Sequence, residues 1–333
     1  MTKIYWKSAE GGRKTNISYN CVDRHVAEME NKFETAFVWE GNYWDDDVHD
    51  YADLNWETVD VLTQKIANIF KDYCEMNPAK FFVDAIKDVL KETQPKLVVT
   101  VDAFWQGSIL LETKKCLDLA IEESEVISIQ KVLVIRHTGP NPGIPPPDKF
   151  IIGRRPFYKL EVKMNDTLDI LWTTLVKQAD ANCEVVWLPA DHPFAILPEW
   201  NPSLRLRTIS TGKLLRAVEK YSREVIPFCL SLPHPQTPLG LVGCFAPWFV
   251  GIVLTTFEGI LEWPDPSRLK HLIAKYEIKS AILPTCKLDP EYMTFVPVPT
   301  LRRIITEVGN ATTLEENFSD VEIIEMDVEK SLR

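Results

Sequence analysis

Lys96-Leu97-Val98-Val99-Thr100-Val101 and Lys131-Val132-Leu133-Val134-Ile135 are two short apolar runs rich in β-branched residues, with a helical stretch at about 110–123 between them. Strand, helix, strand in that order is a β-α-β unit, whose two strands lie parallel in one sheet. Upstream, Val59, Leu62, Ile66, Ile69 and Phe70 recur at helical spacing within Leu54–Lys71, which predicts an amphipathic helix. A second helix is expected from about Ala79 to Leu90, stopped by Pro95. Downstream, Leu168–Val176 reads as helix, Phe194-Ala195-Ile196-Leu197 as a core strand, and Lys213 to Val225 as helix. A helix at about 267–275 and a strand at Ser280–Leu283 follow. Leu239–Phe257 carries no charge and has about the length of a bilayer span. Its Pro247, its three glycines and its closing run Ile252-Val253-Leu254-Thr255-Thr256 fit a buried helix turning into a buried strand instead. The sum is an α/β fold with a mostly parallel sheet flanked by helices, and no membrane span.

The chain has 333 residues, enough for about two domains. Gly139–Asp148 holds five prolines and can form neither a helix nor a central strand. The expected organisation is therefore an N-terminal segment 1–138, a proline-rich linker 139–165, a second segment 166–315 and an acidic C-terminal tail 316–333. With 48 acidic and 37 basic side chains the net charge is -11, which repels phosphate backbones and argues against a nucleic-acid partner. Glycines number only 13 against 23 prolines, whereas loops that wrap phosphates use glycine to bring backbone N–H groups close. The seven cysteines are odd in number and unclustered, so reduced, mostly buried thiols are expected. Met1 to Lys7 has no apolar signal segment, which gives a cytoplasmic expectation.

G-x-S-x-G, H-E-x-x-H, paired C-x-x-C and G-x-G-x-x-G are all absent, and the six histidines are scattered. No catalytic and no metal-binding residue is nominated. The candidate cofactor-binding residues are Ser210, Thr211, Gly212 and Lys213, because capping hydroxyls, a glycine and a lysine at a helix start can form an anion site. The same residues also make a plain helix cap, and Arg207 stands where a phosphate loop of the P-loop class needs its first glycine. On the following helix Lys213, Arg216, Lys220 and Arg223 share one face. That face suits an acidic protein partner, or is simply the solvated side.

Gly11-Gly12-Arg13-Lys14-Thr15-Asn16-Ile17-Ser18-Tyr19-Asn20-Cys21-Val22-Asp23-Arg24-His25 resembles the opening signature of acetyl-CoA synthetases, members of the adenylate-forming ligases. Landmarks follow in the family's order: Trp39-Glu40-Gly41, Ile66-Ala67-Asn68, Pro95 to Phe104, Lys131 to Val134 with Thr138-Gly139, and Asp169 to Trp172. Further on stand Asp191 to Leu197, Phe257-Glu258-Gly259, Pro264 to Leu269, Lys275-Tyr276 and Leu283-Pro284-Thr285. The resemblance implies part of that family's N-terminal domain, the reaction of acetate, ATP and CoA to acetyl-CoA, AMP and pyrophosphate, and ATP and CoA as cofactors.

The departures fall where that chemistry lies. After Leu197 the family has a Ser/Thr/Gly/Lys-rich phosphate loop, where this chain has Pro198-Glu199-Trp200-Asn201-Pro202-Ser203-Leu204-Arg205. Ser210–Lys213 is a displaced remnant of that loop or matches the Thr-Thr-Gly-Gly stretch beyond it. Gln236 replaces the tryptophan that closes the acyl pocket, with Pro238, Leu239 and Gly240 beside it, and Gln106 and Ile109 replace basic residues for CoA. Near 71–79 a strand-helix-strand segment is missing, and past Gly309 the adenine- and magnesium-binding motifs and the mobile lysine domain are not met. The expectation is a catalytically inactive relative serving as a binding or scaffold protein. Residual acetate-CoA ligase activity or nucleotide and CoA binding through Ser210–Lys213 is the alternative, and a truncated product without function a further one.

Overall fold

The computed structural model describes residues 2–9, 12–30, 32–42, 50–73, 83–143, 157–200, 203–284, 297–318 and 320–332. Its largest sheet has seven strands in the order Glu322–Met326, Arg303–Glu307, Ser280–Ile282, Cys229–Ser231, Leu254–Phe257, Thr35–Glu40 and Tyr51–Asn55. Every neighbouring pair is parallel except the last, in which Phe37 faces Leu54 across an antiparallel ladder. Successive strand residues point to opposite faces, and the apolar runs feed two cores accordingly. Cys229, Ile282 and Ile305 join the cluster built on the Thr211–Tyr221 and Pro238–Phe249 helices. Leu230, Ala281 and Ile304 join the cluster under the Arg268–Lys275 and Ala311–Asn317 helices on the other side.

The β-α-β unit is present. Leu97–Val101 and Lys131–Ile135 pair in parallel, with the Thr113–Ser124 helix as their crossover. Between the first strand and that helix the chain makes a small hairpin, Phe104–Gln106 with Ile109–Leu111, so the helix starts later than its apolar pattern suggests. Leu239–Phe257 folds as anticipated: the Pro238–Phe249 helix leads through a turn into the Leu254–Phe257 strand. Among the described residues no helix is long and apolar enough to cross a membrane. Gly240 is required in that helix, because a Cβ there would lie 2.0 Å from the His234 carbonyl oxygen.

Several expectations are corrected. Leu168–Val176 is not one helix: Asp169–Leu171 is a third parallel strand beside Lys131–Ile135, and the helix runs Trp172–Gln178. Sheet pairing of Ile170 with Leu133 overrides the local helical spacing. Phe194–Leu197 lies in no parallel sheet; it belongs to a separate antiparallel hairpin, Pro193–Trp200 with Leu204–Ser210. The Lys213–Val225 helix runs Thr211–Tyr221 and ends in turns. Of the Ala79–Leu90 helix, 79–82 lie outside the described residues and the helix seen is Val83–Thr93. The 316–333 segment is no solvated tail. It contains the sheet's edge strand Glu322–Met326 and the Val328–Leu332 helix, which buries Val328 and Leu332 against the Thr211–Tyr221 helix. Its acidic residues are the outward side of folded elements. Nor are 1–138 and 166–315 self-contained, since Thr35–Glu40 completes a sheet whose other parallel strands come from beyond residue 228.

Candidate functional site

In open α/β sheets ligands collect at the carboxyl ends of parallel strands. Among those ends here are Glu40, Phe257, Val101 and Ile135, with a dense polar framework near them. Glu40, 1% exposed, accepts hydrogen bonds from the Tyr276 hydroxyl, from Lys275 Nζ at 2.7 Å and from Arg268 Nη2 at 3.3 Å. Arg268 Nη2 also donates to the Gly41 carbonyl at 3.0 Å, and the guanidinium lies over the Phe257 ring. Burial pushes the Arg268 pKa down while Glu40 opposes it; burial first, and then the Glu40 hydrogen bond and charge, push the Tyr276 phenol up.

Asp102 is a second hub, also 1% exposed. Its Oδ1 accepts from the N–H groups of Ala103, His137 and Thr138 at 2.7, 2.9 and 2.9 Å, and its Oδ2 from Gly139 at 2.8 Å. One carboxylate thus ties the end of Leu97–Val101 to the end of Lys131–Ile135. From there His137 Nε2 reaches Glu258 Oε1 at 2.8 Å, linking the smaller parallel sheet to the larger.

The opening signature does similar work. Asn20 Nδ2 donates to the Asn16 carbonyl and its Oδ1 accepts from the Tyr5 N–H. Arg24 Nη2 and His25 Nε2 both donate to the Phe249 carbonyl, at 2.8 and 3.1 Å. Burial lowers the His25 pKa and raises the Cys21 thiol to about 12. Cys229 is likewise buried and raised to about 12, whereas Cys116, Cys183 and Cys244 are half-buried. Cys74 and Cys286 lie outside the described residues.

The expected phosphate-loop position is a β-hairpin. Pro198 faces Leu206, Glu199 faces Arg205 and Trp200 faces Leu204, so 198–200 and 204–206 are extended and paired. Pro198 has no N–H to donate. Arg207, opposite Leu197, gives its Nη1 to Glu329 at 2.6 Å and to Glu199 at 3.4 Å. Arg207 is therefore held by two carboxylates, while Arg205, one pair from the tip and opposite Glu199, is exposed.

Ser210, Thr211, Gly212 and Lys213 do stand at a helix N-terminus, as anticipated, but as a cap. The Thr211 N–H donates to the His192 carbonyl at 2.9 Å, the Gly212 N–H to Ala190 at 2.7 Å, and the Lys213 N–H to Ser210 Oγ at 3.4 Å. A Cβ on Gly212 would fall 2.7 Å from the Ala190 oxygen. The donors that would receive an anion are taken by the chain itself. Of the two readings the sequence offered for these residues, the cap is the one whose hydrogen bonds are seen. Arg216 and Lys220 are exposed on this helix, with Lys213 at its start; Arg223, expected on the same face, is exposed in the turn after the helix ends at Tyr221.

Gln236 sits in the turn before the Pro238–Phe249 helix, its N–H directed to His234 Nδ1; Pro238 begins the helix and Leu239 and Gly240 are buried in it. Gln106 and Ile109 face each other across the small hairpin and both are exposed. The sequence marked Glu40, Asp102, Arg268, Lys275 and Tyr276 only as members of landmarks. Their roles as ties between segments 35–37 residues apart at Asp102 and more than 220 apart at Glu40 were not readable; a charged residue in an apolar run was the one signal available.

No protein-family model matches the chain. Acetyl-coenzyme A synthetase of Pasteurella multocida (strain Pm70) is 23% identical over 344 residues, covering 93% of this chain and 47% of the relative. The acetyl-coenzyme A synthetase of Bdellovibrio bacteriovorus is 25% identical over 307 residues, covering 80% and 43%. The fold matches acetoacetyl-CoA synthetase from Streptomyces lividans with a TM-score of 0.68 at 12% identity, over 95% of this chain and 52% of that one. The chain is similar to acetyl-CoA synthetases in sequence and to an acetoacetyl-CoA synthetase in fold. It spans less than half the length of these curated acetyl-CoA synthetases. The side chains shared with the landmarks, Asp102 and Arg24 among them, tie backbone to backbone.

Proposed function

We propose that this acetyl-CoA-synthetase-like chain is catalytically inactive and acts as a binding or scaffold protein. The observation that carries the reading is the hairpin Pro193–Trp200 with Leu204–Ser210. Acyl adenylation needs backbone donors and a cation arranged around a triphosphate. The residues at that position do not fit one: the strands satisfy each other, Pro198 cannot donate, and Arg207 is committed to Glu199 and Glu329. The amides of Thr211, Gly212 and Lys213 offer no substitute, being bonded within the chain. The intact polar framework around Glu40 and Asp102 supports a stable fold kept for something other than turnover.

Calorimetric titration with ATP and with CoA, alongside acetate-dependent exchange of labelled pyrophosphate into ATP, tests this. No heat of binding and no exchange are expected. Exchange above that of a Lys213→Ala variant would overturn the reading and establish residual ligase chemistry.

A further inference from the structure

We infer that the outer face of the Thr211–Tyr221 helix, with the lysine pair beside its N-terminus, is a docking surface for a short acidic segment of a partner protein. The helix is a rigid platform, because Leu214, Leu215, Ala217, Val218 and Tyr221 are all buried on its inner side. Lys213, Arg216, Lys220 and Arg223 are exposed outward. The bonds of two of them are to neutral groups. Arg216 Nε donates to the Gly212 carbonyl, and Lys220 Nζ to the Tyr221 hydroxyl and Ser331 Oγ. From Lys213 to Lys220 the helix rises about 10 Å, and an extended peptide covers that with about three residues.

A second observation lies next to it. In the small antiparallel sheet Lys7 and Lys14 are directly opposite each other, an arrangement that like charges disfavour. Lys14 pairs with Pro189, and the next residue, Ala190, accepts the Gly212 N–H, so this sheet abuts the helix start. Lys7 lies over the Trp187 ring, which packs with Tyr5 and Tyr19. A bound carboxylate would relieve the lysine pair. Charge complementarity selects an acidic ligand, and the size of the face selects a short one. A long polyanion meets the repulsion of a protein of net charge -11, whereas a few carboxylates feel the field within about 8–10 Å. An acidic peptide is thereby favoured over duplex DNA or an anionic membrane.

Fluorescein-labelled octaglutamate, titrated with the whole chain and followed by fluorescence anisotropy, is the probe. Saturable binding that weakens with added salt is expected. The triple variant Arg216→Gln/Lys220→Gln/Arg223→Gln should weaken it by at least about tenfold, while Lys91→Gln/Lys115→Gln/Lys177→Gln, an equal charge change on other helices, should leave it unchanged. Lys14→Gln should weaken binding without lowering the melting temperature, which separates a binding role from a folding one. Absent binding by the unaltered chain, equal loss in both triples, or tighter binding to phosphatidylserine vesicles or duplex DNA would overturn the assignment. These readouts are independent of whether ATP binds.

Discussion

Glu40 shows how much one side chain can decide. It sits at the end of a parallel strand with Arg268, Lys275 and Tyr276 converging on it, and both Glu40 and Arg268 are 1% exposed. Two charges buried together are weak evidence of net stabilisation, but removing one partner strands the other in a low-dielectric site. Glu40→Gln should therefore cost about 3–5 kcal/mol, read from the urea unfolding midpoint. Glu40→Gln combined with Arg268→Met should cost less than the sum of the two single changes, because the second change removes the stranded charge. A Glu40→Gln chain as stable as the parent would show that the pairing is incidental. Asp102 works by a different means, four backbone N–H groups on one carboxylate, and so fixes chain direction at two strand ends.

At the scale of elements, the starts of the Thr211–Tyr221 and Pro238–Phe249 helices differ in how they are capped. Thr237 Oγ1 accepts the Gly240 N–H at 3.0 Å and Pro238 occupies the first helical turn, whereas Ser210 Oγ accepts the Lys213 N–H at 3.4 Å. The shorter bond is the stronger cap. Thr237→Ala should lower stability by about 1 kcal/mol, and Ser210→Ala by less, both measured by chemical denaturation; the reverse order would contradict the capping geometry. The Pro193–Trp200 and Leu204–Ser210 hairpin illustrates how an element forms against local expectation. Its two prolines excluded a glycine-like loop, yet they did not reveal that Glu199 and Arg205 would face each other in an antiparallel pair. That pairing depends on register, which loop length and the burial of one face set together.

For the whole molecule, the last elements close the larger core. Met326, Val328 and Leu332 are buried against the Thr211–Tyr221 and Pro238–Phe249 helices. Each such side chain contributes about 1.5–3 kcal/mol of burial, so together they rival the 5–15 kcal/mol, roughly, by which a native domain is stable. A chain ended at residue 318 should lose its cooperative thermal transition and bind a hydrophobic dye; a sharp transition in that variant would return 319–332 to the status of a tail. By itself the sequence determined the β-α-β unit, the helix-to-strand passage through Leu239–Phe257 and the outward basic residues Lys213, Arg216 and Lys220. Periodicity, proline and glycine act on neighbours along the chain, so local pattern suffices for these. Only the tertiary structure decided that 169–171 is a strand, that 322–332 is core, that the amides of 211–213 are spent, and that Glu40 and Asp102 are hubs. Each of those depends on partners far apart in sequence, brought together by sheet pairing and burial.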